Sequence, residues 1–194
     1  MDTIGLLVGR YAPPTLDHSR AAEVLSTTRG ISQVWLCPLQ FDVPQDCWPG
    51  IAECQQHVRN MCTILAMDMS SAGKPVAACT VALDNKVQPC MNRVGAVLET
   101  CRKKFPYYKF RPALVVSATG IADCYEEQEE DALIFKFAGD DPSVKRGIPV
   151  VMRYAPTPAE TLNRIIAGMD ESRHFCKPVW DYIQSHNLCC AKGG

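Results

Sequence analysis

A chain of 194 residues, 47% of them hydrophobic and 21% charged, is long enough for one globular domain with a sizeable core, expected to run over 1–194. Twenty Lys and Arg against 21 Asp and Glu leave a formal net charge of −1, which excludes nucleic-acid or anionic-membrane binding driven by bulk charge. No apolar run approaches the roughly 20 residues of a membrane span, and Met1-Asp2-Thr3 lacks the basic start of a secretory leader, so a cytoplasmic location, with a nuclear one as alternative, is the expectation.

The first predicted element is a strand at Thr3 to Val8, built on Ile4-Gly5-Leu6-Leu7-Val8. It runs into a turn at Gly9, and a helix opens near Thr15 and His18. Val34 to Cys37 reads as a second strand, ended by Pro38, and 41–50 as loop punctuated by Pro44, Pro49 and Gly50. Residues 51–70 carry helical spacing in Ile51, Val58, Met61, Cys62, Leu65 and Met69. Val76 to Leu83 is apolar enough for a strand. Val94, Val97, Leu98 and Cys101 mark another helix, closed by Arg102-Lys103-Lys104, cations suited to a helix C-terminus. Ala113 to Val116 and Ile148 to Met152 read as buried strands without alternation. Between the last two lies an acidic run, Glu126 to Asp131, expected as a solvated face. Continuous apolar strands between helices predict an α/β fold: a Rossmann-like parallel sheet with helices on both faces.

Such sheets bind ligands at the carboxyl ends of their strands. The Gly9 turn lies at such an end. A helix N-terminus there offers free N–H groups and partial positive charge, suited to phosphate, and an imidazole can stabilise charge on phosphate oxygens. Thr157-Pro158-Ala159-Glu160-Thr161-Leu162-Asn163-Arg164 opens a second helix of the same kind, with Thr157 as a possible cap, Pro158 in the first turn and an Arg one turn on. Eleven cysteines without a C-x-x-C pair are expected mostly as small buried hydrophobes. Cys47, Cys54 and His57 are the one spacing that hints at zinc.

The segment Gly9-Arg10-Tyr11-Ala12-Pro13-Pro14-Thr15-Leu16-Asp17-His18 resembles the signature of the nucleotidylyltransferase superfamily, G-x-[FY]-x-P followed by [HT]-x-G-H. Gly9, Tyr11, Pro13, Thr15 and His18 match, and Asp17 stands where the family has Gly. Thr161 and Arg164 fall on a second motif of that superfamily, I-S-S-T-x-I-R, with Ala159 and Glu160 in place of its two Ser. Pro178, Tyr182, Ile183, His186 and Leu188 are similar to the ending of nicotinate or nicotinamide mononucleotide adenylyltransferases, with Cys189 replacing the final Tyr. Arg59, Met61 and Asn92-Arg93 match more weakly. The family's G-x-D after the central strand is missing, Asp123 being the nearest acid. No Trp occurs between Trp48 and Trp180, so Tyr125, Phe135 or Phe137 would have to stack on the pyridine ring.

The resemblance implies an adenylyltransferase that joins ATP to nicotinamide or nicotinate mononucleotide (NMN or NaMN), giving NAD or deamido-NAD and pyrophosphate. His18, Thr15 and Arg164 would be catalytic: His18 at the α-phosphate, Thr15 and Arg164 at the β- and γ-phosphates. Gly9, Arg10, Tyr11, Thr15, His18, Thr161 and Arg164 would contact nucleotide. Mg²⁺ would arrive with ATP and water, without protein ligands. The implied partners are small molecules, with no nucleic acid or membrane, and a homo-oligomer is left open. Two alternatives stand beside it. One is a related transferase with another phosphate acceptor, such as pantetheine phosphate. The other is a catalytically weak nucleotide-binding protein, suggested by Asp17, Ala159 and Glu160.

Overall fold

In the computed structural model, which describes residues 1–9, 11–39, 51–83, 94–116, 133–137, 148–150 and 158–188, the chain forms six strands and five helices among those residues. The strands are β1 (Thr3–Gly9), β2 (Gln33–Pro38), β3 (Val76–Ala78), β4 (Lys109–Val116), β5 (Leu133–Phe137) and β6 (Ile148–Val150). The helices are α1 (Leu16–Ser26), α2 (Ile51–Ser71), α3 (Val94–Lys104), α4 (Pro158–Ile166) and α5 (Lys177–Ser185). All six strands pair in parallel, in the order β3-β2-β1-β4-β5-β6. The predicted α/β class with a parallel sheet is the fold observed.

Side-chain alternation explains why the apolar runs are continuous. On β1, Leu7 joins one buried cluster and Ile4, Leu6 and Val8 join another. On β2, Val34 and Leu36 face the first cluster and Cys37 the second. Both faces are covered, so both sets of alternate residues must be apolar. The first cluster includes residues of α1, α2, α4 and α5, and the second includes α3. This division follows from handedness. Right-handed crossovers from β1 to β2 to β3 put α1 and α2 on one face. The return across the sheet to β4 reverses direction and puts α3 on the other. The reversal lies between β1 and β4, and it creates the crevice where such folds bind ligands.

Close packing of α1 on β1 depends on one small residue. A Cβ built on Gly5 would stand 2.8 Å from both Cγ and Cδ2 of Leu25, a fully buried side chain, and 3.2 Å from Ile31. Glycine is therefore set here by helix–sheet contact.

Three departures from the predicted elements have physical causes. The apolar run Val76 to Leu83 is a strand only as far as Ala78, and Val81–Leu83 is a 3₁₀ turn. The Arg59 guanidinium holds that turn, Nη1 donating to Thr80 Oγ1 at 3.2 Å and Nη2 to the Leu83 carbonyl at 3.2 Å. Apolar composition alone carries no mark of such a clamp. Strand β4 begins at Lys109, four residues before the predicted Ala113, because Lys109 to Pro112 pair with Thr3 to Leu6. Pro112 is tolerated because β5 pairs with β4 only from Ala113 onward, so the proline lies where β4 has a neighbour on one side. Strand β5 was not among the predicted elements. The predicted loop at 41–50, the acidic run and residues 151–152 of the last predicted strand lie outside the described residues.

Candidate functional site

The N-terminus of α1 stands at the carboxyl end of β1, at the switch point. The chain reaches it through Tyr11 to Pro14, with a cis Ala12–Pro13 peptide. Thr15 is the N-cap, in extended conformation, as its short hydroxyl side chain favours. His18, three residues on, closes the cap. Its Nδ1 accepts the Thr15 backbone N–H at 3.0 Å and lies 3.2 Å from Thr15 Oγ1, while the His18 backbone N–H donates to the Thr15 carbonyl at 3.1 Å. This is a capping box with imidazole in the place usually held by Glu or Gln. It has a chemical consequence. An Nδ1 that accepts a backbone N–H carries no proton, so the ring proton sits on Nε2 and that nitrogen is a donor.

Tyr11 stands beneath this unit. Its ring lies 4.4 Å from the imidazole, it is fully buried, and its hydroxyl donates to the Leu7 carbonyl at 2.8 Å. Burial pushes its phenol well above the ordinary value of 10.0. Tyr11 is thus a prop that sets the imidazole plane, and its hydroxyl is already engaged with protein. Gly9 has no positive φ, and a Cβ there would meet only Tyr11 Cε2, at 3.7 Å, an ordinary contact. Nothing in the described protein demands glycine at this turn; the space it leaves is open to something else.

Asp17, one residue into the first turn, is 6% exposed. It has no hydrogen bond or ion pair among the described residues. Burial raises its carboxyl from 3.8 to about 6. The N–H groups of the first turn have no acceptor within the helix, so a partly protonated acid shares this corner with unused donors.

The second predicted grip is arranged differently. Thr161 is fully buried. Arg164 is 42% exposed, and its Nη1 lies 3.9 Å from Oε1 of Glu171, which is itself buried. Glu171 also faces His174 Nε2 at 3.0 Å. Burial lowers the His174 imidazole, and the Glu171 carboxylate opposes that shift. The acid facing Arg164 is thus Glu171 rather than the Glu160 that helical spacing suggests. Sequence reasoning passed over Glu171, and no local motif marks it. Helix α4 shares the apolar layer of α1, through Leu162 and Ile165.

The C-terminal motif is structural. Tyr182 of α5 receives a hydrogen bond on its hydroxyl from Asn60 Nδ2 at 2.8 Å, and His57 Nδ1 is 2.9 Å from the same oxygen. His186 stacks on the Tyr182 ring at 4.0 Å. These contacts lock α5 onto α2 and occupy His57. Among the described residues no group of three His, Cys, Asp or Glu side chains is arranged to hold a metal ion, and the hinted zinc partners Cys47 and the Cys54 side chain lie outside them. Arg10, Asn92-Arg93, Asp123, Tyr125, Thr157 and the side chains of Ala159, Phe135 and Phe137 also lie outside the described residues. No described helix is long and apolar enough to cross a membrane.

Sheet order, switch point and capped helix together define a Rossmann-like α/β fold. Two solved structures share it over nearly the whole chain. Plasmodium falciparum nicotinic acid mononucleotide adenylyltransferase complexed with APC superposes with a TM-score of 0.66 at 17% identity, covering 97% of this chain and 98% of its own. The same enzyme complexed with NaAD gives 0.67 at 16% identity, with the same coverage. In sequence, the chain is 31% identical over 120 residues to a "Probable nicotinate-nucleotide adenylyltransferase" of Anaeromyxobacter dehalogenans (strain 2CP-C). That match spans 62% of this chain and 59% of the relative. No family model matches the chain.

Proposed function

We propose that this protein is a nucleotidyltransferase that transfers the adenylyl group of ATP to nicotinate mononucleotide, releasing pyrophosphate and forming deamido-NAD. The observation that carries the reading is the Thr15–His18 cap at the β1/β4 switch point, which fixes an imidazole with its proton on Nε2. The names of the sequence relative and the structural neighbours support the pyridine nucleotide as acceptor.

The chemistry needs no covalent enzyme intermediate. The acceptor's phosphate oxygen attacks the α-phosphorus of ATP, and the bond to the pyrophosphate oxygen breaks. Catalysis is positioning and charge stabilisation. Nε2–H of His18 donates to the non-bridging α-phosphate oxygen as charge builds on it. The N-terminus of α1 supplies backbone donors and partial positive charge. The absence of a side chain on Gly9 admits the phosphates close to the backbone. Arg164 reaches the outer phosphates by exchanging Glu171 for them, and Thr15 keeps the imidazole in register. Mg²⁺ arriving with ATP would supply charge neutralisation at the triphosphate. The donor set fits an ion that arrives with ATP and water, since Asp17 is the one described carboxylate at this turn.

A second reading, a nucleotide-binding protein with little turnover, is favoured by Asp17, a buried acid in the first turn of α1. One assay separates the two. ATP and Mg²⁺ are incubated with NaMN, NMN or pantetheine phosphate in turn, and pyrophosphate is followed. Release with NaMN supports the proposal. Release only with pantetheine phosphate transfers the activity to another acceptor. ATP binding without release with any acceptor supports the silent binder.

A further inference from the structure

A second chemical centre lies on the other face of the sheet, away from the α1 cap. Cys79, just after β3, places its Sγ 3.9 Å from the Sγ of Cys101 on α3. Cys37 at the end of β2 is buried in the same cluster. Three thiols from three elements thus meet in the second apolar cluster. Cys37 and Cys101 are sealed within it, and Cys79 is not. Cys79 lines a cavity of about 340 Å³, walled also by Trp35, Arg59, Thr80, Lys104 and Phe105. The wall beside the thiol is cationic: Lys104 contributes an ammonium, and the Arg59 guanidinium donates to Thr80 Oγ1 while its buried Nε has no hydrogen-bond partner.

We propose that Cys79 and Cys101 form a redox-active pair, in which a small hydroperoxide entering this cavity oxidises Cys79 and Cys101 then closes a disulfide with it. The proposal is independent of the nucleotide site.

The cluster distinguishes its members electrostatically. Contact with Cys101 first, then with Cys37, and the positive charge of Lys104 hold the Cys79 thiol well below its ordinary range. Cys37 and Cys101 move the other way, through their contact with Cys79 and their burial. Cys79, on the cavity wall, is the more acidic thiol and Cys101, 3.9 Å away, the less acidic one, which is the division of labour between attacking and resolving thiols. Sulfur–sulfur contact must shorten from 3.9 Å to about 2.05 Å in a disulfide, a displacement within reach of side-chain rotation and a small shift after β3.

The steps balance. The Cys79 thiolate attacks one oxygen of ROOH. An S–O bond forms, the O–O bond breaks, and the alkoxide leaves and takes a proton to become ROH. Cys79 is now a sulfenic acid. The Cys101 thiol gives up its proton and its sulfur attacks the Cys79 sulfur. The S–S bond forms, the S–O bond breaks, and hydroxide leaves with that proton as water. Two thiols lose two electrons in total and one hydroperoxide gains them. Arg59 and Lys104 stabilise the thiolate and the leaving oxygen.

The test uses the whole native protein, reduced and then exposed to limiting hydrogen peroxide or cumene hydroperoxide. Samples are alkylated, digested without reductant and mapped by mass spectrometry. Cys62, fully buried, with its thiol pushed up by burial, is the internal control. Expected is a Cys79–Cys101 disulfide forming at least roughly tenfold faster than any modification of Cys62, and reversed by dithiothreitol. In Cys101→Ser, dimedone should trap the sulfenic acid on Cys79; in Cys79→Ser, Cys101 should stay reduced. Circular dichroism of both variants checks that they fold, and the wild-type map stands without them. Oxidation of Cys79 at the rate of Cys62 would overturn the proposal, and a Cys79–Cys37 disulfide would overturn the choice of Cys101.

Discussion

Replacing Asp17 by Asn removes a buried charge while keeping the side chain's shape. Raising a carboxyl from 3.8 to about 6 costs its ionised form about 3 kcal/mol. The N-terminus of α1 returns part of this, about 0.3–1 kcal/mol, because it favours a negative charge in the first turn. A net cost of about 2 kcal/mol at neutral pH is the working figure. The sign follows from linkage. The folded state holds the Asp17 proton more tightly than the unfolded chain does, so this residue's contribution to stability falls as pH rises from about 4 to about 6. It stays at its full cost above that. Asp17→Asn should therefore raise the melting temperature by about 4–8 °C at pH 7.5 and by little at pH 4. Thermal melts of both proteins across pH 4 to 8 give the comparison. Calorimetric titration with ATP at pH 7.5 adds a second readout. Loss of a like charge beside phosphate, on the order of 1 kcal/mol, should tighten binding about fivefold. Melting curves that move in parallel with pH would show that Asp17 is not the buried acid described here.

Two further substitutions probe the frame that holds the site. Gly5→Ala drives a methyl into the buried Leu25, 2.8 Å away, and should cost about 1–3 kcal/mol by chemical denaturation; an unchanged midpoint would mean that α1 rides further from β1. Tyr182→Phe strands the Asn60 and His57 groups that meet its hydroxyl and should cost about 1–3 kcal/mol while leaving the KM for ATP unchanged. A raised KM with unaltered stability would move Tyr182 from the scaffold to the ligand.

The parallel sheet was legible because burial on both faces writes itself as unbroken apolar runs: Ile4 to Val8 and Val34 to Cys37 needed no other signal. The α1 start was legible because N-caps are local, and Thr15 and His18 need only each other. What escaped depends on contacts distant in sequence. The break at Cys79 depends on Arg59, 20 residues earlier along the chain, clamping the following turn. Lys109 and Arg111 hid the start of β4, because pairing with β1 overrides their polar character. Glu171 becomes visible only when α4 brings Arg164 beside it. Tyr11 illustrates the converse: its place in a motif suggested nucleotide contact, yet its hydroxyl is spent on Leu7 and its ring on His18. The cysteines were expected as buried hydrophobes, which Cys62 satisfies; the meeting of Cys37, Cys79 and Cys101 required three separate elements to be folded together.

The central claim is that the imidazole capped by Thr15 stabilises adenylyl transfer to a pyridine mononucleotide. The most direct measurement is steady-state formation of the dinucleotide from ATP, Mg²⁺ and NaMN, identified by mass, for the wild type and His18→Ala. The account predicts deamido-NAD from the wild type, kcat lower by about 10²-fold or more in the variant, and a folded variant whose stability falls by no more than about 1 kcal/mol from the lost cap. Equal kcat in the two proteins, or no dinucleotide from the wild type, would contradict it.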